Sequence, residues 1–179
     1  LETSKGIVKI DTICLEEDAA RKIKSSKEEI IYRLDRLGIP LIEIATDSSI
    51  QDAEHCKEVA HTLGMILRST ERVKRGIGTI RQDVNVSIKG HPRVEIKGFQ
   101  DLKNMPKIIE YEVNRQLKEL GKKTEPHVRK AEPDLTTSFL RPMPGSGRMY
   151  PETDVKPVII TQDFIRKIKI PELITEKAI

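Results

Sequence analysis

The stretch from Thr79 to Gly98 constrains the fold more than any other part of the chain, because polar and apolar residues alternate along it. Successive side chains of a β-strand point to opposite faces, so alternation predicts strands with one apolar and one polar face. We therefore expect a strand over 79–89, a turn at residues 89–92 and a return strand over 93–98. The apolar set is Ile80, Val84, Val86, Ile88, Val94 and Ile96, and the polar set is Arg81, Asp83, Asn85, Ser87, Arg93, Glu95 and Lys97.

Two segments with helical spacing can cover the apolar face of this hairpin. The first, predicted over 50–71, follows a Ser-x-x-Asp capping signature at residues 49–52. The second, predicted over 106–120, lies between Asn104 as N-cap and Gly121, with inward positions at Ile108, Ile109, Val113, Leu117 and Leu120. Further strands are predicted at 7–15 and 39–46. Together the elements predict an α+β fold in which helices cover an antiparallel sheet.

The composition narrows the class of protein. The 179 residues include 32 basic and 28 acidic side chains, and the net charge of +4 permits a nucleic-acid partner without requiring one. No apolar run approaches the roughly 20 residues of a membrane helix, so we expect no membrane association. The two cysteines lie far apart and outside any CxxC spacing, which argues against a zinc site or a disulfide framework and favours a cytoplasmic protein.

Glu43 is the first candidate for a functional side chain, because it lies inside the apolar string Leu-Ile-Glu-Ile-Ala. A carboxylate with apolar surroundings needs a cation, a hydrogen-bond partner or a proton. Two interpretations stay open. One is a structural ion pair with Arg33 or Arg36, and the other is a Mg²⁺ site to which Glu16 and Glu17 also contribute, since Mg²⁺ prefers carboxylate oxygens.

The ionic face of the hairpin is the second candidate. Asp83, Asn85 and Glu95 alternate with basic residues, and this face either contacts water or forms a cradle for phosphate and metal. The Gly-Ile-Gly loop at 76–78 could let backbone amides approach a phosphate. A third candidate, residues 141–154, is either a rigid surface loop or part of the site. The sequence contains no Walker-type P-loop and no readable catalytic triad.

Several strings, taken in order, closely resemble the B and E catalytic subunits of tRNA-dependent amidotransferases. They are LEEDAA at 15–20, YRLDRLGIPLIEI at 32–44, RQDVNVS at 81–87 and VEIK at 94–97. The string RPMPGSGRMYPETD at 141–154 is similar to the E subunit, the archaeal Glu-tRNA(Gln) amidotransferase form. The resemblance covers roughly residues 1–157.

This resemblance implies a cradle domain similar to the catalytic domain of glutamine synthetase. It implies an ATP- and Mg²⁺-dependent ligase that phosphorylates the γ-carboxylate of glutamate esterified to tRNA(Gln), after which ammonia displaces the phosphate to give Gln-tRNA(Gln). The ammonia would come through a channel from an asparaginase-like partner, the D subunit, within a heterotetramer. The alternative is a non-catalytic module that binds tRNA or a partner subunit.

The resemblance also implies roles for individual residues. The metal would be bound by Glu17, Glu43 and Glu95, with Glu16 as a further ligand. The ATP phosphates and the glutamyl group would be held by the polar floor of the sheet and by two residues of the later string. These assignments are Asp83, Asn85 and Lys97 as catalytic residues, and Arg81, Lys97, Arg148 and Glu152 as cofactor-binding residues.

Two departures from the family pattern shape the expected domain organisation. The amino-terminal Gly-Leu-Glu-Ile-His motif, which would supply further metal ligands, is not in this sequence, so we expect a piece of a longer protein that is inactive alone. The usual insertion domain is not in this sequence either, so it is either deleted or belongs to a gap near residues 122–127 across which the numbering continues. We therefore predict a first part of the cradle at 1–121, a junction in place of the insertion at 122–134, a return segment of the cradle at 135–157 and the start of a helical domain at 158–179, with two short helices separated at Pro171.

Overall fold

The computed structural model describes residues 1–143 and 158–174. It divides into two compact units, residues 1–55 and residues from 56 onward. The first unit contains the strands β1 Glu2–Thr3, β2 Gly6–Ile7, β3 Ile10–Glu17, β4 Arg21–Ser25, β5 Ile30–Arg33 and β6 Pro40–Thr46. Helix α1, Ala53–Ser69, begins there and continues into the second unit, which adds β7 Val84–Val86, β8 Val94–Lys97, α2 Met105–Lys118, β9 His127–Ala131, β10 Thr137–Pro142 and α3 Gln162–Arg166. Within the described ranges, no helix has the length and apolar character needed to cross a membrane.

The first unit is built from three two-stranded antiparallel sheets, β1–β2, β3–β6 and β4–β5. The predicted strands at 7–15 and 39–46 correspond to β3 and β6, which pair with Ile13 opposite Ile44 and Leu15 opposite Ile42. The β4–β5 hairpin was not predicted, because its lysines and arginines obscure any alternation of apolar residues. The sheet β3–β6 carries three of the four glutamates that the resemblance implicates, Glu16, Glu17 and Glu43.

The second unit contains the predicted hairpin. Strands β7 and β8 pair antiparallel, with Asn85 opposite Glu95, and the four valine and isoleucine side chains of the pair are buried. The predicted alternation is confirmed, although β7 spans three residues rather than 79–89, since the short β8 offers partners only to Val84–Val86. Gly90 has a φ of +90° in the connecting turn, a conformation that favours glycine.

The sheet of the second unit is mixed rather than purely antiparallel, and its strand order is β10-β9-β8-β7. Strands β8 and β9 run parallel, with Lys97 in register with Lys130. Parallel neighbours need a long crossover connection, which α2 provides here. Strand β9 lies in the segment 122–134 that was predicted as a junction, and β10 opens the predicted return segment. The resemblance to a glutamine synthetase-like cradle stays a prediction.

Helix α2 lies where it was predicted, but the side that it buries differs. The buried positions are Met105, Pro106, Ile108, Ile109, Glu112 and Gln116. Leu117 and Leu120, which were predicted to face inward, are exposed. The prediction assumed that polar residues face solvent, whereas Glu112 and Gln116 face inward because the structure satisfies their hydrogen-bonding groups. The buried side of α2 thus follows a spacing of four residues, from Ile108 to Glu112 and Gln116, and two of these three residues are polar.

The remaining helices also follow their predicted positions. Helix α1 begins at Ala53 rather than near residue 50, and Asp52 rather than Ser49 caps it, accepting a hydrogen bond from the His55 backbone N–H at 2.9 Å. Helix α3 begins after Thr161, whose side chain accepts from the Phe164 N–H. The second short helix predicted after Pro171 falls largely outside the described residues.

Candidate functional site

The polar face of the β7–β8 hairpin brings several predicted site residues together. Asn85 lies directly opposite Glu95 in the strand register. The Lys97 Nζ lies 2.9 Å from Glu95 Oε1 and 2.5 Å from Asp83 Oδ2. The three predicted catalytic residues and one predicted metal ligand thus form a group that we call the polar cluster: Asp83, Asn85, Glu95 and Lys97.

The charge state of Lys97 determines what the polar cluster can do. Partial burial lowers the pKa of Lys97, but hydrogen bonds to Asp83 and Glu95 outweigh this effect and raise the pKa above its ordinary value of 10.5. At neutral pH Lys97 is therefore a firmly held ammonium and not a proton acceptor. Because two carboxylates surround this one ammonium, the polar cluster as a whole is anionic, and it suits phosphate only together with a divalent cation.

The polar face extends beyond the hairpin to β9 and β10. Lys130 is in register with Lys97, and its Nζ lies 3.1 Å from Glu132. The Ser138 hydroxyl donates to Glu132 at 2.6 Å. Sequence analysis missed these residues because segment 122–134 contains few apolar positions. The single weak signal was Val128 and Ala131 on either side of two basic residues.

The predicted metal ligands of the first unit lie on the β3–β6 sheet. Glu43 pairs with Cys14, and Glu16 pairs with Leu41, so Glu16 and Glu43 share one face of the sheet. Glu17 is one residue further along and points to the other face. The Glu43 side chain is exposed to solvent, so it does not lie in the apolar surroundings that its neighbours along the chain predicted.

The oxygen donors of these residues fit the chemistry of Mg²⁺, which takes carboxylate and amide oxygens. Within neither unit do three described histidine, cysteine, aspartate or glutamate side chains lie close enough together to hold a metal ion. Glu95 belongs to the second unit, whereas Glu16, Glu17 and Glu43 belong to the first. A single metal site shared by these glutamates stays a prediction.

The remaining candidates lie before β7 or outside the described residues. Arg81 is exposed and precedes β7. The loop at 76–78 closes on itself, because Gly76 and Gly78 have positive φ angles and the Gly76 carbonyl accepts from the Thr79 hydroxyl at 2.8 Å. Arg148 and Glu152 lie outside the described residues.

A buried polar network beneath the sheet was not predicted. The Glu112 carboxylate is fully buried, lies 2.6 Å from Arg115 and 3.3 Å from Arg129, and accepts from Thr137 at 2.8 Å. Burial raises the pKa of Glu112, but hydrogen bonds from Arg115, Gln116 and Thr137 lower it by a larger amount. The pKa is therefore below its ordinary value of 4.5. Glu112 is therefore ionised at neutral pH.

Gln116 connects this network to the hairpin. Its Nε2 donates to the Val86 carbonyl at 3.2 Å, and its Oε1 accepts from the Ile88 N–H at 3.2 Å. Both groups lie at the turn end of the first hairpin strand. Helix α2 thus fixes the strand that carries Asn85, and the buried network supports the polar cluster from below.

Comparison with known proteins adds to this geometry. Residues 1–166 match the family described as the GatB/GatE catalytic domain. The chain is 60% identical over 117 residues to the glutamyl-tRNA(Gln) amidotransferase E subunit of Methanothermobacter thermautotrophicus, an alignment that covers 65% of this chain and 19% of that protein. The E subunit of Pyrococcus abyssi is 58% identical over 140 residues, covering 78% of this chain and 22% of its own length.

A longer alignment joins the chain to the E subunit of Methanosarcina barkeri, at 32% identity over 312 positions. It covers 99% of this chain and 49% of that protein. The chain therefore spans between about a fifth and a half of the length of these curated relatives. Because the match to the family extends over most of the sequence, the chain belongs to the GatB/GatE catalytic domain family.

Proposed function

We propose that this chain is part of an ATP-dependent ligase that converts Glu-tRNA(Gln) to Gln-tRNA(Gln). The observation that carries the proposal is the similarity to relatives named as E subunits of glutamyl-tRNA(Gln) amidotransferase. The name of these relatives supplies the substrate and the reaction type. The polar cluster supplies the place on this chain where the chemistry would occur.

The chemical logic of the reaction gives Lys97 and Asn85 of the polar cluster a role beside the proposed Mg²⁺. A carboxylate is a poor acylating agent, whereas an acyl phosphate reacts readily with ammonia. Transfer of a phosphoryl group to the glutamyl γ-carboxylate requires positive charge near the transferred oxygens. Lys97, held as a cation by Asp83 and Glu95, would stabilise that charge, and Asn85 would orient the glutamyl group by hydrogen bonding.

The carboxylates proposed as Mg²⁺ ligands are Glu95 in the second unit and Glu16, Glu17 and Glu43 in the first, where Glu17 lies on the opposite face of β3–β6 from the other two. When bound, Mg²⁺ would neutralise phosphate oxygens and polarise the group under attack. The residues of this chain would contribute ligands and orientation. Arg81, Arg148 and Glu152 are proposed to contact the ATP or to hold the glutamyl group.

The proposed enzyme is a multi-subunit complex in the cytoplasm. The relatives are subunits by name, so an asparaginase-like partner, the D subunit, is proposed to deliver ammonia, in a heterotetramer. The alignment with the Methanosarcina relative is longer than this chain, so that relative contains residues without a counterpart here. This length difference supports the proposed absence of an insertion domain.

The substitution Lys97→Met in the complete enzyme tests the proposal. We expect ATP hydrolysis that depends on Glu-tRNA(Gln), in the presence of an ammonium salt, to fall about 100-fold or more, because one preorganised electrostatic group contributes on that order. Ammonium bypasses the ammonia-producing partner, so the assay isolates this site. The measurement is phosphate release with and without the charged tRNA.

Lys107→Met is the matched control, since Lys107 is an exposed lysine on α2 outside the polar cluster. It should leave phosphate release unchanged. Equal rates of phosphate release for the Lys97→Met variant and the wild type would show that Lys97 is not part of the active site. Absence of any tRNA-dependent hydrolysis in the wild type would contradict the ligase and favour a binding module for tRNA or a partner subunit.

A further inference from the structure

The β4–β5 hairpin is a part of the first unit to which the proposed reaction gives no role. Its strands pair with each other and with no other described strand. All residues from 21 to 38 are exposed. An isolated two-stranded hairpin is at best marginally stable in water. A contact with a binding partner would therefore stabilise this hairpin.

The register of the hairpin places two arginines directly opposite each other, Arg21 on β4 and Arg33 on β5. Directly opposed side chains have Cβ atoms about 5 Å apart, and like charges at such positions destabilise the pairing. Among the described residues, neither arginine has an acidic partner. In contrast, Lys24 pairs with Glu29 at 2.6 Å. An anion between the two guanidinium groups would remove the repulsion.

The surroundings of this arginine pair indicate the kind of anion. Six basic and three acidic residues lie between positions 21 and 36. Lys22 lies opposite Tyr32, whose side chain is 48% exposed, on the other face of the hairpin. Basic side chains beside an accessible aromatic ring are typical of surfaces that bind the phosphates and bases of nucleic acids.

We propose that the β4–β5 hairpin binds the phosphate backbone of tRNA through Arg21 and Arg33. The inference rests on the proposed function, which makes tRNA the substrate, and it adds the surface that binds this RNA. Guanidinium groups form paired hydrogen bonds with phosphate and carboxylate oxygens alike, and the exposed ring of Tyr32 favours a nucleic acid over an acidic protein. On the opposite face of the hairpin, Lys22 and Tyr32 offer a second contact, with a cation for a neighbouring phosphate and a ring on which an exposed base can stack.

The substitution Arg21→Glu separates binding from folding, because it changes a like-charge pair into an opposite-charge pair. We expect the melting temperature to stay the same or rise, since the repulsion with Arg33 becomes an attraction. Affinity for tRNA should fall about tenfold, and the slope of log affinity against log salt should decrease by about 1 to 2. A purely structural role for Arg21 would instead move stability and binding in the same direction.

The measurement is fluorescence anisotropy of a labelled tRNA transcript with the 179-residue chain, from low to moderate salt, together with thermal unfolding. Lys107→Glu makes the same charge change at an exposed position of α2 and should have little effect on the affinity. The double variant Arg21→Lys and Arg33→Lys preserves both charges. It should retain the slope of log affinity against log salt but lose the part of the affinity that depends on paired guanidinium hydrogen bonds.

Three results would overturn the proposal. If the Arg21→Glu and Lys107→Glu variants bind tRNA equally well, the hairpin is not the binding surface, while the proposed function stands. If the wild-type chain binds polyglutamate through the hairpin and does not bind tRNA there, the partner of the hairpin is an acidic protein. If the wild-type chain binds no tRNA, the hairpin proposal falls, and tRNA-dependent phosphate release by the complete enzyme still decides the proposed function independently.

Discussion

At the scale of single residues, Glu112 shows how a buried charge can be part of a stable core. The carboxylate is ionised and lies against two arginines that are themselves mostly buried. Removing one member of such a group leaves the others buried without compensation, which costs more than the group contributes as a whole. The supporting network is therefore sensitive to a change of a single atom.

The substitution Glu112→Gln should lower the free energy of unfolding by about 3 kcal/mol at pH 7, because Arg115 and Arg129 lose their counter-charge. The pKa of Glu112 is lower in the folded state than in the unfolded state, so its stabilising contribution is present above the unfolded pKa. It is lost as the pH falls through the folded pKa, below 4.5. Urea unfolding at several pH values measures both effects.

Glu110→Gln is the matched control for this experiment, since Glu110 lies on the exposed side of the same helix. It should change stability little at any pH. If Glu112→Gln unfolds at the same urea concentration as Glu110→Gln, the Glu112 network does not stabilise the sheet. The difference in acid sensitivity between the variants isolates the contribution of Glu112.

At the scale of elements, Gln116 makes α2 and the hairpin a single folding unit. The substitution Gln116→Ala removes the hydrogen bonds that Gln116 makes to the Ile88 N–H and to the Val86 carbonyl, on the strand that carries Asn85. We expect a loss of about 2 kcal/mol and faster hydrogen exchange at the Ile88 amide. Nuclear magnetic resonance of the exchanging amides measures the second effect directly.

Asn114→Ala provides the comparison, because Asn114 is an exposed amide side chain two residues earlier on α2. In the Asn114→Ala variant, the hydrogen-exchange rate of the Ile88 amide should match that of the wild type. Unchanged exchange at Ile88 in the Gln116 variant would mean that strand pairing alone holds the hairpin. In that case α2 would cover the sheet without fixing its register.

The elements also explain which parts of the fold the sequence could predict. The hairpin was predictable because Val84, Val86, Val94 and Ile96 alternate with polar residues over a short turn, and this signal is local. Strand β9 was not, because its pairing with β8 depends on a partner some thirty positions away, across α2. Its inward side chain Arg129 is polar, so no local pattern identifies the strand.

The same distinction applies to the candidate site. Asp83, Asn85, Glu95 and Lys97 share a face by strand periodicity, and their grouping could be predicted from spacing alone. The inward orientation of Glu112 could not, since it depends on arginines from two elements. Whether Glu17, Glu43 and Glu95 bind one metal ion depends on three strands from both units, and the sequence supports it only through resemblance.

At the scale of the whole molecule, Cys56 reports on the integrity of the second unit. Burial raises the pKa of the Cys56 thiol to about 11, and its Sγ lies 3.9 Å from the Met105 Sδ in the core. At pH 8 only about one thiol in a thousand would be the reactive thiolate, even if it were accessible. Cys14 is half-buried on β3 and is more accessible.

We therefore expect a thiol reagent at pH 8 to modify Cys14 rapidly and Cys56 only when the unit unfolds. The Cys14→Ser variant should show a single slow phase, whose rate increases with urea in parallel with global unfolding. Absorbance of the released reagent measures both phases. Rapid modification of both cysteines in the native protein would contradict the buried position of Cys56.

The connection between α2 and β9 has a consequence for how this domain can be enlarged. Residues 119–126 join the crossover helix to its parallel strand and are mostly exposed. The entropy of closing a flexible loop grows only with the logarithm of its length, by about 0.6 kcal/mol for each doubling. A connection sixteen times longer would thus cost about 2.4 kcal/mol. The parallel pairing of β8 with β9 can therefore persist across a whole inserted domain.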